Sequence, residues 1–179
     1  MSTKDDSMPG GPQEDVEQLR KAATSGDPVA QLILGWKCYF GEGVPKDDAE
    51  AVKLFRLADE SANVLGQIAI GDMYQEGNRV PQDFAEAERW YRRAAEQGCA
   101  PAQFKLGCLY ANGQGVTKNF PWLEAAKWYR MAAEQGYAEA QKSLGFMFHS
   151  ANGYVEAEKW CRMAATQGDA EAQFKLGYM

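Results

Sequence analysis

Small and apolar residues recur along this chain with the period of an α-helix, about 3.6 residues per turn. In the segment AQFKLGCLYANG, Leu106, Gly107 and Tyr110 fall on one helix face, which they share with Gln103. In the segment FAEAERWYRRAAEQG, Ala87, Trp90 and Ala94 fall at i, i+3 and i+7. Both segments therefore predict amphipathic helices, which we call helix A and helix B.

The two segments alternate, and the pair repeats along the chain. An apolar residue followed by glycine marks each helix A, at Leu34-Gly35, Ile70-Gly71, Leu106-Gly107, Leu144-Gly145 and Leu176-Gly177. Successive glycines are 36, 36, 38 and 32 residues apart. A period of about 20 to 50 residues is typical of helical solenoids, in which each repeat buries its apolar face against its neighbours.

Glycine recurs at two positions with different predicted roles. In helix A it faces helix B, where a side chain would hold the two backbones apart. At the end of helix B, glycine falls where a left-handed helix cap favours it, at Gly26, Gly98, Gly136 and Gly168. Asp27-Pro28 and Asp169 then follow as the N-cap and first turn of the next helix A.

The pattern A-x-Q-x-x-L-G-x-x-Y-x-x-G-x-G-V followed by W-Y-x-x-A-A-x-x-G resembles the Sel-1-like repeat, a relative of the tetratricopeptide repeat, over about 19–179. The resemblance implies an all-α fold, a right-handed α/α superhelical solenoid of antiparallel helix pairs. It also implies a concave face that serves as an adaptor between proteins. Arg79, Ala62, an insertion around Pro121-Trp122 and a deletion in 150–153 depart from the pattern.

The repeats divide the chain into a flexible leader, 1–13, and a solenoid, 14–179. The solenoid contains a partial repeat at 14–29 with one helix of the B type, four repeats, and a partial repeat at 172–179; the four repeats are 30–65, 66–101, 102–139 and 140–171. The shortened Asn152-Gly153 turn of repeat four predicts two separate helices, since both residues tolerate positive φ. An apolar edge near Phe174, Leu176 and Tyr178 predicts self-association or a truncated chain.

Composition excludes several classes of function. The chain has 179 residues, a net charge of -6 and a pI near 4.9. This charge argues against nucleic-acid binding, which depends on clustered Lys and Arg. No apolar run approaches the roughly 18 residues of a membrane span. The first thirteen residues contain no apolar core of a secretory signal, so we expect a cytoplasmic protein unless a signal peptide has been removed.

The sequence contains few of the residues and motifs that catalysis or metal binding requires. His149 is the single histidine, so the residues needed for an HExxH zinc site are missing, and those for a catalytic triad are not found together. The segment GQGVTKN has the wrong spacing for a phosphate-binding P-loop, and the repeat explains its glycines. We therefore expect no enzyme activity, no metal and no cofactor, and we expect His149 to be an exposed or half-exposed residue at a helix end.

The family resemblance also carries an alternative. One Sel-1-like subgroup, the Helicobacter cysteine-rich proteins, bridges helices A and B by disulfides and has been linked to penicillin binding and hydrolysis. It implies a secreted β-lactam-binding protein or weak hydrolase. The cysteines here occupy four different repeat positions, at Cys38, Cys99, Cys108 and Cys161. Regular bridges require two fixed positions, so free and mostly buried thiols are favoured.

A second face of helix A is unusually aromatic, and we predict that it lines the concave groove and binds a partner peptide or helix. The predicted partner-binding residues are Leu32, Trp36, Tyr39, Asp72, Gln75, Phe104, Cys108, Lys142, Phe146 and Phe174. An alternative interpretation places the same residues in the core between repeats. Trp122 is either a loop side chain that covers the edge of the stack or a binding anchor.

Overall fold

The computed structural model describes residues 12–59, 63–77, 80–114 and 120–178. Within these ranges the chain forms helices and no strand, which confirms the predicted all-α class. The helices are α1 Pro12–Thr24, α2 Pro28–Phe40, α3 Asp48–Asp59, α4 Val64–Glu76, α5 Phe84–Glu96, α6 Ala100–Ala111, α7 Pro121–Glu134, α8 Ala138–Ser150, α9 Tyr154–Thr166 and α10 Ala170–Leu176. None of these described helices combines the length and apolar character that crossing a bilayer requires.

Two compact units make up the chain, Met1–Ile70 and Gly71–Met179, and their boundary falls within α4. In the first unit, α2 packs against both α1 and α3. In the second unit, each helix from α5 to α10 packs against the next one along the chain. Even-numbered helices are helices A and odd-numbered helices are helices B.

Helix ends follow the predicted cap chemistry. Oδ1 of Asp27 accepts hydrogen bonds from the backbone N–H groups of Val29, at 2.9 Å, and Ala30, at 3.3 Å. Asp169 accepts in the same way from the N–H of Ala172, at 2.8 Å. The glycines that follow four of the B helices have left-handed backbones, with φ of 91° at Gly26, 86° at Gly98, 88° at Gly136 and 92° at Gly168. The predicted glycine caps are therefore confirmed.

The glycines within the A helices lie directly against the following B helices. A Cβ atom added to Gly107 would lie 2.6 Å from Cδ1 of the Tyr129 ring, which leaves no room for it. The same contact recurs between Gly35 and Phe55, Gly71 and Tyr91, and Gly145 and Cys161. The prediction that these glycines allow a close approach of helices A and B is confirmed.

A glutamine at the same position in four of the A helices, buried in three of them, ties consecutive helices together. Its side-chain Nε2 donates to the backbone carbonyl oxygen eight residues earlier, in the pairs Gln31–Ala23 at 3.1 Å, Gln103–Ala95 at 3.1 Å, Gln141–Ala133 at 3.0 Å and Gln173–Ala165 at 3.1 Å. In the second unit a glutamine at the end of the next helix B donates to the Oε1 of this residue, as Gln135 does to Gln103, at 2.7 Å, and Gln167 to Gln141, at 2.9 Å. These bonds satisfy polar groups that would otherwise be buried at a cost.

The two irregular repeats differ in how well the sequence predicted them. Repeat four forms two separate helices, α8 and α9, as predicted. Its turn uses positive φ at Asn152, 61°, whereas Gly153 has a φ of -86°. Trp122 lies in the first turn of α7, so its placement in a loop was wrong. Pro121 begins this helix, since proline has the φ of the first helical position already fixed. Most of the predicted turn after Gly113, together with Arg79 and Ala62, lies outside the described residues.

Candidate partner-binding face

Side chains on the second face of the A helices in Gly71–Met179 form the candidate site, which we call the A-helix face. It comprises Asp72 and Gln75 of α4, Phe104, Lys105 and Cys108 of α6, Lys142, Ser143 and Phe146 of α8, and Phe174 and Lys175 of α10. All of these are half-buried except Phe174, which is 67% exposed. Partial burial on one face is what a surface that binds another chain requires, since its apolar atoms remain accessible.

Asp72 is the centre of a polar cluster at the start of this face. The Tyr91 hydroxyl lies 2.5 Å from Oδ1 of Asp72, to which it donates, and 2.7 Å from Oε1 of Gln75. Nζ of Lys105 forms an ion pair with Oδ1 of Asp72 at 2.8 Å. Burial, and then the neighbouring carboxylate of Asp72, raise the pKa of Tyr91 far above its ordinary value. The cluster holds α4, α5 and α6 in register and fixes the positions of Asp72 and Gln75.

Aromatic rings and a thiol form the next part of the face. The Phe104 ring lies 5.6 Å from the Tyr129 ring and 5.3 Å from the Tyr137 ring, measured between centroids. The Tyr129 hydroxyl donates a hydrogen bond to Sγ of Cys108 at 3.4 Å. Burial raises the pKa of the Cys108 thiol, and the Tyr129 and Lys105 side chains lower it by less. The thiolate is the reactive form of cysteine, so the raised pKa disfavours Cys108 as a nucleophile.

Lys142 connects α8 to the start of α10. Its Nζ lies 3.2 Å from Oδ2 of Asp169 and 3.1 Å from Oε2 of Glu171. These contacts, the hydrogen bond to Glu171 first, raise the pKa of Lys142. The charge of Lys142 is therefore already compensated by residues of this chain. Nζ of Lys175 lies over the Phe146 ring instead, 5.7 Å from its centroid.

An open groove of about 530 Å³ lies beside Phe146, and we call it the Phe146 groove. Its walls come from three helices: Ala111 of α6, Trp122 and Tyr129 of α7, and Ser143, Phe146, Met147, Ser150 and Ala151 in and after α8. Trp122 is 60% exposed there. The sequence predicted that Phe146 lies on a binding face, but it left the role of Trp122 open. The sequence feature that pointed to Trp122 was an aromatic residue within an insertion.

The predicted residues of the first compact unit lie in a different setting. Leu32 is only 8% exposed and belongs to the core, so we leave it out of the proposed binding surface. The Trp36 ring packs edge-on against Phe55, 5.2 Å between centroids, and against Tyr39 at 5.8 Å. Nζ of Lys46 lies 5.8 Å from the centroid of Tyr39. Trp36 and Tyr39 are half-buried and stabilise the pairing of α2 with α3.

Reactive groups are not gathered at this face. His149, half-buried as expected, packs edge-on against Tyr154 with 5.4 Å between ring centroids. Across the described ranges, no group of three or more His, Cys, Asp or Glu side chains is placed to hold a metal ion. The four cysteines are free thiols.

Paired helices in tandem, packed through glycine and linked by buried glutamines, define a helical repeat protein. The Sel1 repeat matches this chain at 28–58, 64–99, 100–137, 138–169 and 170–179. The chain therefore belongs to the Sel1 repeat family, whose members are generally scaffolds for protein interaction. Each of the five matches begins two residues before the predicted start of the corresponding repeat, at the first residue of a helix A.

Solved structures of similar proteins support the assignment to the Sel1 repeat family. A protective antigen of uropathogenic Escherichia coli strains is 39% identical, with a TM-score of 0.86 over 92% of this chain and 36% of that one. This chain thus spans about a third of the length of the E. coli protein. A Sel1 repeat protein from Oxalobacter formigenes is 33% identical, with a TM-score of 0.75 over 92% of this chain and 74% of that one.

A more distant structure bears on the cysteine-rich alternative. Cysteine-rich protein B of Helicobacter pylori is 23% identical, with a TM-score of 0.55 over 73% of this chain and 97% of that one. At this identity the likeness shows the fold alone. None of the curated proteins compared matches this sequence.

Proposed function

We propose that this chain is a noncatalytic interaction module that binds a peptide or helix of a partner protein in the Phe146 groove. The observation that carries the proposal is the groove itself. It gathers apolar and aromatic side chains from α6, α7 and α8, and it leaves Trp122 60% exposed. Apolar grooves between helices are a common way to recognise an amphipathic helix or an extended segment.

The charges beside the groove suggest which partner fits. Lys142 is paired with Asp169 and Glu171, so it has little charge to offer a partner. Lys175 lies at the Phe146 ring, where its ammonium group flanks the apolar surface. We therefore propose a partner segment with an apolar anchor for the groove and an acidic residue next to Lys175.

Two observations support a noncatalytic role over the cysteine-rich alternative. Burial raises the pKa values of the Cys38, Cys108 and Cys161 thiols, which disfavours the reactive thiolate. The cysteines are free thiols at different repeat positions, whereas the alternative needs a bridge within each repeat. We propose a reducing, cytoplasmic setting on the same ground.

The test is an affinity measurement on variants of two residues that line the groove, the half-buried Phe146 and the exposed Trp122. Peptides are selected on the folded chain by display and then titrated against the wild type, Phe146→Ala and Trp122→Ala. Loss of an aromatic anchor should weaken binding tenfold or more, because interface energy concentrates in buried aromatic side chains. Leu123→Ala is the matched control, since Leu123 is 56% exposed but lies outside the Phe146 groove.

Thermal melts of the same variants separate binding from folding. Trp122 is 60% exposed and Leu123 is 56% exposed, so neither Trp122→Ala nor Leu123→Ala should lower the melting temperature by more than a few degrees. Equal affinity of wild type, Phe146→Ala and Trp122→Ala for every selected peptide would overturn the proposal.

A further inference from the structure

A cavity of about 570 Å³ lies within the first compact unit, between α1, α2 and α3, and we call it the α1–α3 pocket. Its floor is apolar and consists of Ala23, Leu34 and Leu54, none more than 5% exposed. Arg20, Glu50 and Lys53 line its rim. An apolar floor with a few polar groups at the edge is the usual construction of a ligand pocket.

The repeats show what fills the corresponding space elsewhere in this chain. The position of Leu54 in helix B is occupied by tryptophan in the next three repeats, at Trp90, Trp128 and Trp160. Trp128 is 5% exposed and Trp160 is 4% exposed. The indole at this position is therefore buried in repeats three and four and half-buried in repeat two, whereas repeat one has the smaller side chain of leucine.

In repeats three and four, the walls next to this position have the same residue types as in repeat one. Ala23 and Leu34 correspond to Ala95 and Leu106 beside Trp128, and to Ala133 and Leu144 beside Trp160. Those four alanine and leucine residues have no exposed surface. The α1–α3 pocket thus keeps the surroundings of a buried indole while Leu54 supplies too few atoms to occupy them.

A cation is in place to cover such a ring. Nζ of Lys127 lies 5.6 Å from the Trp128 ring centroid, and Nζ of Lys159 lies 5.1 Å from that of Trp160. Lys53 has the equivalent position immediately before Leu54 and lines the pocket, where its Nζ lies 3.5 Å from Oε2 of Glu50. A lysine over an indole face gives a favourable cation–π contact.

From these four observations we infer that the α1–α3 pocket binds a tryptophan side chain of a partner protein, whose indole ring occupies the space that Leu54 leaves. This site is independent of the Phe146 groove and of the function proposed for it. Arg20, Glu50 and Lys53 orient the ring, and Ala23, Leu34 and Leu54 supply its apolar contacts.

The experiment titrates N-acetyl-L-tryptophanamide into the full chain and follows backbone amide signals by two-dimensional NMR. Signals of α1 and α3 around the pocket should shift with a Kd on the order of 1 mM, a typical strength for so small a ligand. N-acetyl-L-leucinamide, the control ligand, should bind at least fivefold more weakly. A titration with free indole shows whether the ring comes from a small indole compound or from a tryptophan side chain. If indole binds and the tryptophan amide does not, a partner side chain is not the occupant.

Variants at Leu54 complete the test. Leu54→Trp fills the pocket from within, so it should raise the melting temperature and weaken binding of the tryptophan amide at least tenfold. Leu54→Met conserves volume and should bind like the wild type. If Leu54→Trp does not fold, Leu54→Phe takes its place. Undiminished affinity in the filled variant, or shifts confined to residues outside α1, α2 and α3, would overturn the inference.

Discussion

Gly107 and Gly136 recur in the repeat for different physical reasons. Gly107 lies under the Tyr129 ring, where an added Cβ atom would meet Cδ1 and Cε1 at 2.6 Å. Gly136 has no atom within 4 Å of such a Cβ, but its φ is +88°. One glycine is required by packing between helices and the other by the conformation of its own backbone.

Alanine substitutions at these glycines should therefore differ in cost. We expect Gly107→Ala to lower the free energy of unfolding by roughly 1 to 3 kcal/mol, because the aromatic ring of α7 has to move. Gly136→Ala should cost about 1 kcal/mol, the ordinary strain of a left-handed residue. Urea unfolding of both variants measures the difference, and a smaller loss for Gly107→Ala would contradict the close-approach role.

Buried thiols also give the stability a pH dependence. Burial raises the pKa values of Cys38, Cys108 and Cys161 above the roughly 8.5 of an exposed thiol. Above that pH the unfolded chain loses thiol protons that the folded chain retains, so unfolding becomes more favourable as the pH rises. We expect this contribution to be fully present below about pH 8 and to decline above it, through the raised pKa values.

Denaturant melts between pH 7 and pH 10 measure this decline. Cys108→Ala removes one of the three thiols, so its stability should fall less steeply with pH than that of the wild type. Buried tyrosines such as Tyr91 contribute at higher pH, because their pKa values are also raised. Parallel pH profiles of wild type and Cys108→Ala would show that this thiol has no part in the effect.

At the scale of an element, the turn between α8 and α9 depends on one residue. Asn152 has a φ of 61°, in the left-handed region, and its Oδ1 accepts a hydrogen bond from the Tyr154 hydroxyl at 3.2 Å. Asparagine tolerates this conformation better than other residues with a side chain. The turn needs this conformation at Asn152, since Gly153 has an ordinary negative φ.

Asn152→Gly should therefore leave the melting temperature nearly unchanged, whereas Asn152→Ala should cost about 1 kcal/mol of unfolding free energy. Differential scanning calorimetry on the two variants makes the comparison. A destabilised glycine variant beside an unaffected alanine variant would show that the backbone conformation of Asn152 does not matter.

Local signals made most helices predictable from the sequence. Asp27-Pro28 and the glycine before it mark one helix end and the next helix start within a few residues, and the structure confirms both. The start of α7 was missed because the insertion shifts it relative to the other repeats, and its N-cap residue, Phe120, forms no side-chain cap. The bond of Gln135 to Gln103 was not predictable, since it joins residues 32 apart whose meeting depends on how the helices pack.

At the scale of the whole molecule, helical periodicity identified a second face of the A helices but not which of its residues stay accessible. Leu32 is buried, and a Cβ atom added to Gly66 would lie only 3.8 Å from its Cδ1, which places α4 against it. Phe146 stays half-buried because the groove beside it is open. The periodicity of one helix does not show which of its residues a neighbouring helix covers. The predicted face was therefore partly core and partly surface.

The most direct test of the account is hydrogen–deuterium exchange of the full chain with and without a display-selected peptide. Backbone amides measure protection at each segment without any substitution. We expect the peptide to protect the end of α8 and the turn after it, together with the end of α6, where Phe146, Ser150 and Ala111 line the groove. Protection confined to other segments, with the end of α8 exchanging at its free rate, would contradict the account.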